Sequence, residues 1–162
     1  MLTIRPALSK DAPLLLQFIR ELAEYEREAH AVVATEEDLL RDGFRMQPPK
    51  FRALIAEWDG TPVGYALFFS FYSTWEGRHG IFLEDLFVRD ALRGKGIGKA
   101  LIAHVARIAR TENCFGMRWE VLDWNEPAIN FYKSLGANFL DGWRTVLLQR
   151  EAMTRLAGGQ QE

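Results

Sequence analysis

Cysteine is nearly missing from this chain. Cys114 stands alone among 162 residues, so no disulfide can form within the chain, and a lone thiol suits a reducing, cytoplasmic setting. Its neighbours Asn113 and Phe115 offer no base, so it reads as buried filler rather than as a nucleophile. Histidine is also scarce: His30, His79 and His104 are scattered without metal-ligand spacing, and no metal is expected. No apolar run is long enough to span a bilayer, and Met1-Leu2-Thr3-Ile4-Arg5 has none of the pattern of a signal peptide. A formal net charge of −2 gives no electrostatic reason to bind nucleic acid or an anionic membrane.

The remainder is ordinary for a globular chain, with 48% hydrophobic and 26% charged residues. At this length about two-thirds of the unfolded surface can be buried. The expectation is one domain over residues 1–157, followed by a disordered tail, Gly158-Gly159-Gln160-Gln161-Glu162. No repeat, linker or low-complexity segment interrupts it.

Leu2-Thr3-Ile4-Arg5 alternates up to Pro6 and predicts a first strand. Ser9 is placed to cap a helix with Pro13 in its first turn and Leu15, Phe18, Ile19 and Leu22 as its apolar stripe. Thr35 and Asp38 form a capping-box pattern for a second helix ended by Gly43. Residues 51–58 and 62–72 flank Asp59-Gly60-Thr61 and predict a β-hairpin. Residues 81–88 read as a central strand and residues 117–122 as a later one. A helix over 127–135 ends at Gly136, and residues 138–140 and 143–148 suit a last hairpin. The order is that of an α+β protein with a mixed sheet.

Residues 83–100, LEDLFVRDALRGKGIGKA, organise the rest. A buried-strand pattern runs into a glycine-punctuated loop. From Gly98 onward Leu101, Ile102, Val105, Ile108 and Ala109 recur at helical spacing. A loop that opens a helix presents unpaired backbone N–H groups and partial positive charge, a setting for phosphate oxygens. A P-loop ending at Gly98-Lys99 would need glycine at 93 and Ser or Thr at 100, where Arg93 and Ala100 stand. A dinucleotide fingerprint would need G-x-G-x-x-G, yet Gly94, Gly96 and Gly98 are spaced two apart. A third pattern, R/Q-x-x-G-x-G/A after a strand, fits Arg93 through Gly98.

That third pattern is the pyrophosphate loop of the GNAT acyl-CoA N-acetyltransferases, which the chain resembles along nearly its whole length. Trp124-Asn125-Glu126-Pro127-Ala128-Ile129-Asn130-Phe131-Tyr132 resembles a second segment of that family. There an asparagine opens a helix beside the pantetheine arm and a tyrosine reaches the thioester sulfur. The resemblance implies the GNAT fold, a mixed, mostly antiparallel sheet flanked by helices and splayed after the central strand. It implies acetyl-CoA as co-substrate, held by Leu86, Phe87 and Val88 on the strand. Arg93, Gly94, Lys95, Gly96, Ile97, Gly98 and Lys99 would hold it in the loop, with Asn125, Glu126, Pro127 and Ala128 at the second helix. Backbone pairing to the pantetheine amides follows the logic of strand addition.

The chemistry sets its own demands. An alkyl ammonium with an ordinary pKa near ~10.4 is neutral in about one molecule in 2,500 at pH 7, a penalty of roughly 4.6 kcal/mol. Attack on a thioester therefore needs a base in an acidic locale. Glu84 and Asp85 sit beside the expected acyl position, and alternation along a strand lets one of them point into the cleft. The resemblance implies Glu84 as the catalytic base, acting through water, and Tyr132 as the general acid. A phenol near ~10 protonates a departing thiolate near ~8.5 uphill by only about 2 kcal/mol.

Tyr25-Glu26, Tyr72-Ser73-Thr74-Trp75, Leu83-Glu84-Asp85, Trp124-Asn125 and Gly142-Trp143 resemble the diamine acetyltransferases of the spermidine/spermine type. Tyr25, Glu26, Thr74, Trp75, Glu84, Asp85 and Asp141 would then contact substrate. The polyamine enzymes carry an acid just before the tryptophan loop. Ser73 or Thr74 stands there instead, with Val121-Leu122-Asp123-Trp124-Asn125 nearby in sequence, as in the thialysine-acetylating branch. The resemblance also implies a homodimer. Two other readings stay open, a protein-directed acetyltransferase with a peptide groove and a non-catalytic acyl-CoA sensor that dispenses with Glu84 and Tyr132.

Overall fold

Alternating apolar residues build a five-stranded sheet in which each strand lies next to its neighbour in sequence. The computed structural model describes residues 1–158. They fall into two compact units, Met1–Glu120 and the described residues from Val121 onward. In the first unit β1 (Leu2–Pro6), β2 (Arg52–Trp58), β3 (Thr61–Ser73) and β4 (Arg78–Val88) are antiparallel neighbours. The short β5 (Met117–Arg118) joins β4 in parallel. The β2–β3 hairpin is the one read from Asp59-Gly60. Both residues have positive φ, +50° and +78°, as a two-residue hairpin turn demands.

The sheet buries side chains on both faces. Leu15, Leu16 and Phe18 of α1 (Ala12–Tyr25) pack with Ile55, Tyr65, Leu67 and Phe87. The alternate residues Leu54, Ala66, Phe68 and Leu83 are buried on the other face. That face receives α3 (Ile97–Thr111), whose Ile97, Leu101 and Val105 are buried. Each such side chain contributes about 1.5–3 kcal/mol on burial. The mixed, mostly antiparallel sheet with flanking helices is the expected architecture. Its splay is visible in the pairing, because β5 meets β4 only at Ile81↔Met117 and Phe82↔Arg118.

Four local expectations are corrected. Ser9 does not cap a helix: Ser9–Asp11 is a 3₁₀ turn and α1 starts at Ala12. Asp11 takes over locally, accepting from the Leu8 N–H at 2.8 Å and from Arg5 Nη1 and Nη2 at 2.8 and 3.0 Å. Gly43 does not end the second helix. The four-residue α2 (Glu36–Leu39) continues as a π-helical stretch, Leu40–Arg45. Gly43 makes room there for Phe51, whose ring lies 2.4 Å from where a Cβ would stand. The strand expected over 117–122 stops at Arg118, where β4 and β5 part and ladder partners run out.

The last hairpin is also overturned. Within the second unit, Trp143 N–H donates to the Leu140 carbonyl at 3.3 Å, so the turn is present. Its arms form no strands among the described residues, and Val146 and Leu147 are 90% and 78% exposed. Apolar alternation makes a strand only when a sheet edge takes it up. The chain instead forms α5 (Arg150–Gly158), which the sequence reading did not anticipate. Gly158, expected in the disordered tail, lies in that helix, and the other residues of that tail lie outside the described residues. The unit's other helix, α4 (Glu126–Ser134), matches expectation within a residue. The Asn125 side chain accepts from Ala128 N–H at 3.3 Å, Pro127 lies in the first turn, and Gly136 at φ +82° follows the end. Among the described residues no helix is long and apolar enough to cross a membrane.

Candidate active site

Because β5 pairs with β4 only as far as Phe82, the backbone of β4 from Leu83 to Val88 has no strand on that side among the described residues. This open edge runs into the glycine loop. Gly94 and Gly96 adopt φ of +77° and +79°, conformations costly for any residue with a Cβ. Neither has a neighbouring atom within 4 Å of where a Cβ would stand, so the space above them is open. Gly96 is the N-cap of α3 and supplies no side-chain cap. The first N–H groups of α3 therefore face outward without an intrahelical acceptor. An anion of diphosphate size suits the place, and the residues present fit the expected coenzyme.

The Arg93 side chain is held within the protein, and the backbone of the loop is what an anion would meet. Arg93 Nε donates to the Val88 carbonyl at 2.9 Å, its Nη2 pairs with Asp90 at 2.7 Å, and its guanidinium lies 4.3 Å from the Tyr25 ring centroid. Arg93 thus staples the loop to the end of β4 and to the end of α1. Lys95 lies over the Trp58 ring at 5.3 Å, which fixes the other flank.

An acidic group gathers on the α1 side of the sheet. Leu67 faces Asp85 across the β3–β4 ladder while Phe68 faces Leu83, which leaves Glu84 as an extra residue in a bulge. Strict alternation is broken at that point. Burial, partly countered by a hydrogen bond from Tyr65 and reinforced by the charges of Glu84 and Glu26, raises Asp85 to about 6. Burial also raises Glu26, and burial followed by the charge of Glu120 raises Glu84. Tyr25 closes α1 and Glu26 follows it, both half-buried. The structure thus brings Glu26, Glu84 and Asp85 within electrostatic reach of one another.

The sequence reading missed Tyr65, whose hydroxyl donates to Asp85 Oδ2 at 2.8 Å. An apolar run hides such a residue, because tyrosine is read there as core. It also missed that His79, far in sequence from Glu112 and Cys114, lies with them so that their ligand atoms are within 4.8 Å of one another. Arg52 holds Glu112, its Nη2 at 2.9 Å from Oε2, so an ion there would have to displace a guanidinium.

Thr74 and Trp75 do not join the acidic group within one chain. They lie at the tip of the β3–β4 hairpin, exposed, and Thr74 is seven residues along from Leu67, the residue that faces Asp85. At ~3.3 Å per residue that is roughly 23 Å. Of the two candidate hydroxyls, Ser73 Oγ accepts from Glu76 N–H at 3.3 Å and belongs to the turn. In the second unit Asn125 and Tyr132 are buried, at 7% and 8% exposure, and Asp141 is exposed in the turn before Trp143. Tyr132 lies on α4 with its ring 5.4 Å from that of Phe131.

An open central-strand edge feeding a left-handed glycine loop and an uncapped helix presents backbone N–H groups suited to an anionic ligand. The acetyltransferase (GNAT) family matches residues 15–137. The chain belongs to that family and is an acetyltransferase. It is 43% identical to a thialysine N-epsilon-acetyltransferase of Mus musculus, over 96% of both chains. It is 37% identical to a human spermidine/spermine N(1)-acetyltransferase-like protein 1, over 95% of this chain and 23% of that longer one. Among solved structures, an integron cassette protein from V. cholerae superposes with a TM-score of 0.78 at 26% identity, covering 97% of this chain and 98% of that one.

Proposed function

We propose that residues 1–157 act as one domain that transfers an acetyl group from acetyl-CoA to a primary amine of a small molecule. The acceptor class is thialysine- or lysine-like. The observation that carries the reading is the free edge of β4 continuing into the Gly94–Gly96 loop and the uncapped start of α3. The family match also crosses the boundary between the two units.

Leu86, Phe87 and Val88 would pair with the pantetheine amides, and residues 93–99 with the pyrophosphate. Asn125, Glu126, Pro127 and Ala128 would flank the arm. Bound acetyl-CoA supplies an activated acyl thioester. The carboxylates of Glu26, Glu84, Asp85 and Asp141, with Tyr25, draw the ammonium in. Glu84 receives its proton through water, a role its raised pKa favours. Backbone N–H groups of β4 face the developing oxyanion. Tyr132 holds the proton that the departing thiolate takes.

The assembly we propose is a homodimer in the cytoplasm. The distance of Thr74 and Trp75 from Asp85 supports it, because these residues contact substrate only if a second copy presents them. A hydroxyl at Thr74, where a polycation wants a carboxylate, favours a short amine with its own carboxylate over a long polyamine. The similarity to the human spermidine/spermine-type protein makes polyamines the competing acceptors. Acetyl-CoA consumption across thialysine, lysine, ornithine, diamines and spermine decides between them. We expect kcat/KM for thialysine to exceed that for spermine by about tenfold or more, the worth of one unpaired charge contact. Spermine as the better substrate would replace this reading with the polyamine one.

A further inference from the structure

We propose that Tyr65 is a positioning residue. Its buried hydroxyl holds Asp85 by one oxygen, Oδ2, and so leaves the other, Oδ1, to meet the incoming ammonium. The inference rests on the reading of the chain as an amine acetyltransferase and deepens it.

Three observations carry it. The first is that the phenol cannot move. Tyr65 is 0% exposed, and its ring stacks on Phe18 with centroids 5.5 Å apart and 5° between planes. The Arg89 guanidinium also lies over the Phe18 ring, 5.0 Å from its centroid. Glu21 holds that guanidinium at 2.8 and 2.9 Å, and the Pro62 carbonyl holds it at 3.1 Å. A ring clamped in this way has one direction for its hydroxyl, and that direction is Asp85 Oδ2 at 2.8 Å.

The second is the kind of partner. Asp11, Glu21 and Glu112 are each bound by an arginine, Arg5, Arg89 and Arg52 respectively. Asp85 is bound by a neutral phenol. An arginine would cancel the negative charge and repel an ammonium. A phenol orients the carboxylate and adds no positive charge.

The third is the company Asp85 keeps. The groups acting on it are Tyr65 from β3, Glu26 from the end of α1 and Glu84 from its own strand. Burial and the two carboxylates favour the protonated acid. The Tyr65 hydroxyl opposes them by donating to the anion, which keeps a negative oxygen available at neutral pH.

Tyr65→Phe removes the hydroxyl and keeps the ring and its stack. The first readout needs no turnover. Carboxyl ¹³C NMR of aspartate-labelled protein, with the Asp85 resonance assigned by Asp85→Asn, follows that group through its titration. Asp85 should titrate near 6 in the parent and become roughly tenfold weaker as an acid in the variant, the worth of a hydrogen bond to a charged group. The second readout is the pH profile of kcat/KM for the amine, whose acid limb belongs to the coupled carboxylates. In the variant this limb should move to higher pH, with the amine KM raised about twofold at neutral pH, close to tenfold near pH ~5, and recovered in alkali. KM for acetyl-CoA should not change. An unshifted Asp85 resonance overturns the proposal, and so does a shifted resonance with an unmoved amine KM. A parent that acetylates no amine overturns the functional reading, while the NMR titration still decides whether Tyr65 holds Asp85.

Discussion

Gly96→Ala separates the cost of backbone strain from the loss of a ligand. Gly96 has φ +79° and ψ +3° at the N-cap of α3, and a Cβ there meets no protein atom within 4 Å. Packing therefore contributes nothing to the cost. A left-handed conformation costs an L residue about 1–2 kcal/mol. Alanine returns about 0.4–1 kcal/mol by restricting the unfolded chain. The net loss is on the order of 1 kcal/mol, and for a chain of this size Tm should fall by about 2–4 °C. Coenzyme binding should suffer far more. The Cβ stands where a pyrophosphate would approach the backbone, and each charge-assisted hydrogen bond lost costs about 1.5–3 kcal/mol. CoA should therefore bind roughly 10–150-fold more weakly in calorimetry. Gly60→Ala is the matched control: its φ is +78°, nothing lies within 4 Å, and it sits in the β2–β3 turn. It should lose the same Tm and keep its CoA affinity. The same CoA affinity in both variants, with both melting early, would refute the assignment of the loop to the coenzyme.

Tyr132→Phe should keep acetyl-CoA affinity and lower kcat about 10²–10⁴-fold, the range for a lost general acid. The loss should shrink with an acyl donor whose thiol leaves more easily, and an equal kcat in single-turnover kinetics would reduce Tyr132 to packing. Thr74→Asp should move the kcat/KM ratio toward spermine, read in the same acceptor panel, and an unchanged ratio would take Thr74 out of the site. For Asp11, hydrogen bonds from Arg5 hold the carboxyl below its ordinary 3.8. Its stabilisation is therefore complete above that value and lost as the pH falls through the folded-state pKa. Asp11→Ala should cost about 2–3 kcal/mol at neutral pH. That is less than the ~3–5 kcal/mol of a fully buried pair because Arg5 keeps part of its hydration. In urea titrations the gap between variant and parent should narrow in acid, and a constant gap would contradict the ion-pair account.

Features set by short-range chemistry were legible in the sequence. Asp59-Gly60 fixed a hairpin, Asn125 and Pro127 fixed the start of α4, and strand, glycines and helical period in residues 83–100 fixed the strand–loop–helix turn. Features that depend on where chain segments meet were not. The alternation in residues 143–148 looks like a strand, yet it forms none without an edge to pair with. Gly43 looks like a helix stop, yet Phe51, arriving from β2, is the reason for it. The partners of the Arg93 side chain, Val88, Asp90 and Tyr25, come from separate segments and show only in the fold. Strand alternation turns Glu84 and Asp85 to opposite faces, and the bulge at Glu84 removes that alternation. The tie between Tyr65 and Asp85 shows only in the fold, where the Tyr65 hydroxyl reaches Asp85 Oδ2.

Whether this chain moves an acetyl group from acetyl-CoA to a side-chain amine is decided by one measurement. Purified protein is incubated with acetyl-CoA and thialysine, the released CoA thiol is titrated, and the amine product is identified by mass spectrometry. The expected result is thiol release matched mole for mole by thialysine acetylated on its side-chain nitrogen, abolished in Tyr132→Phe on the same timescale. Thiol release without any acetylated amine, or none at all with CoA bound tightly, would contradict it.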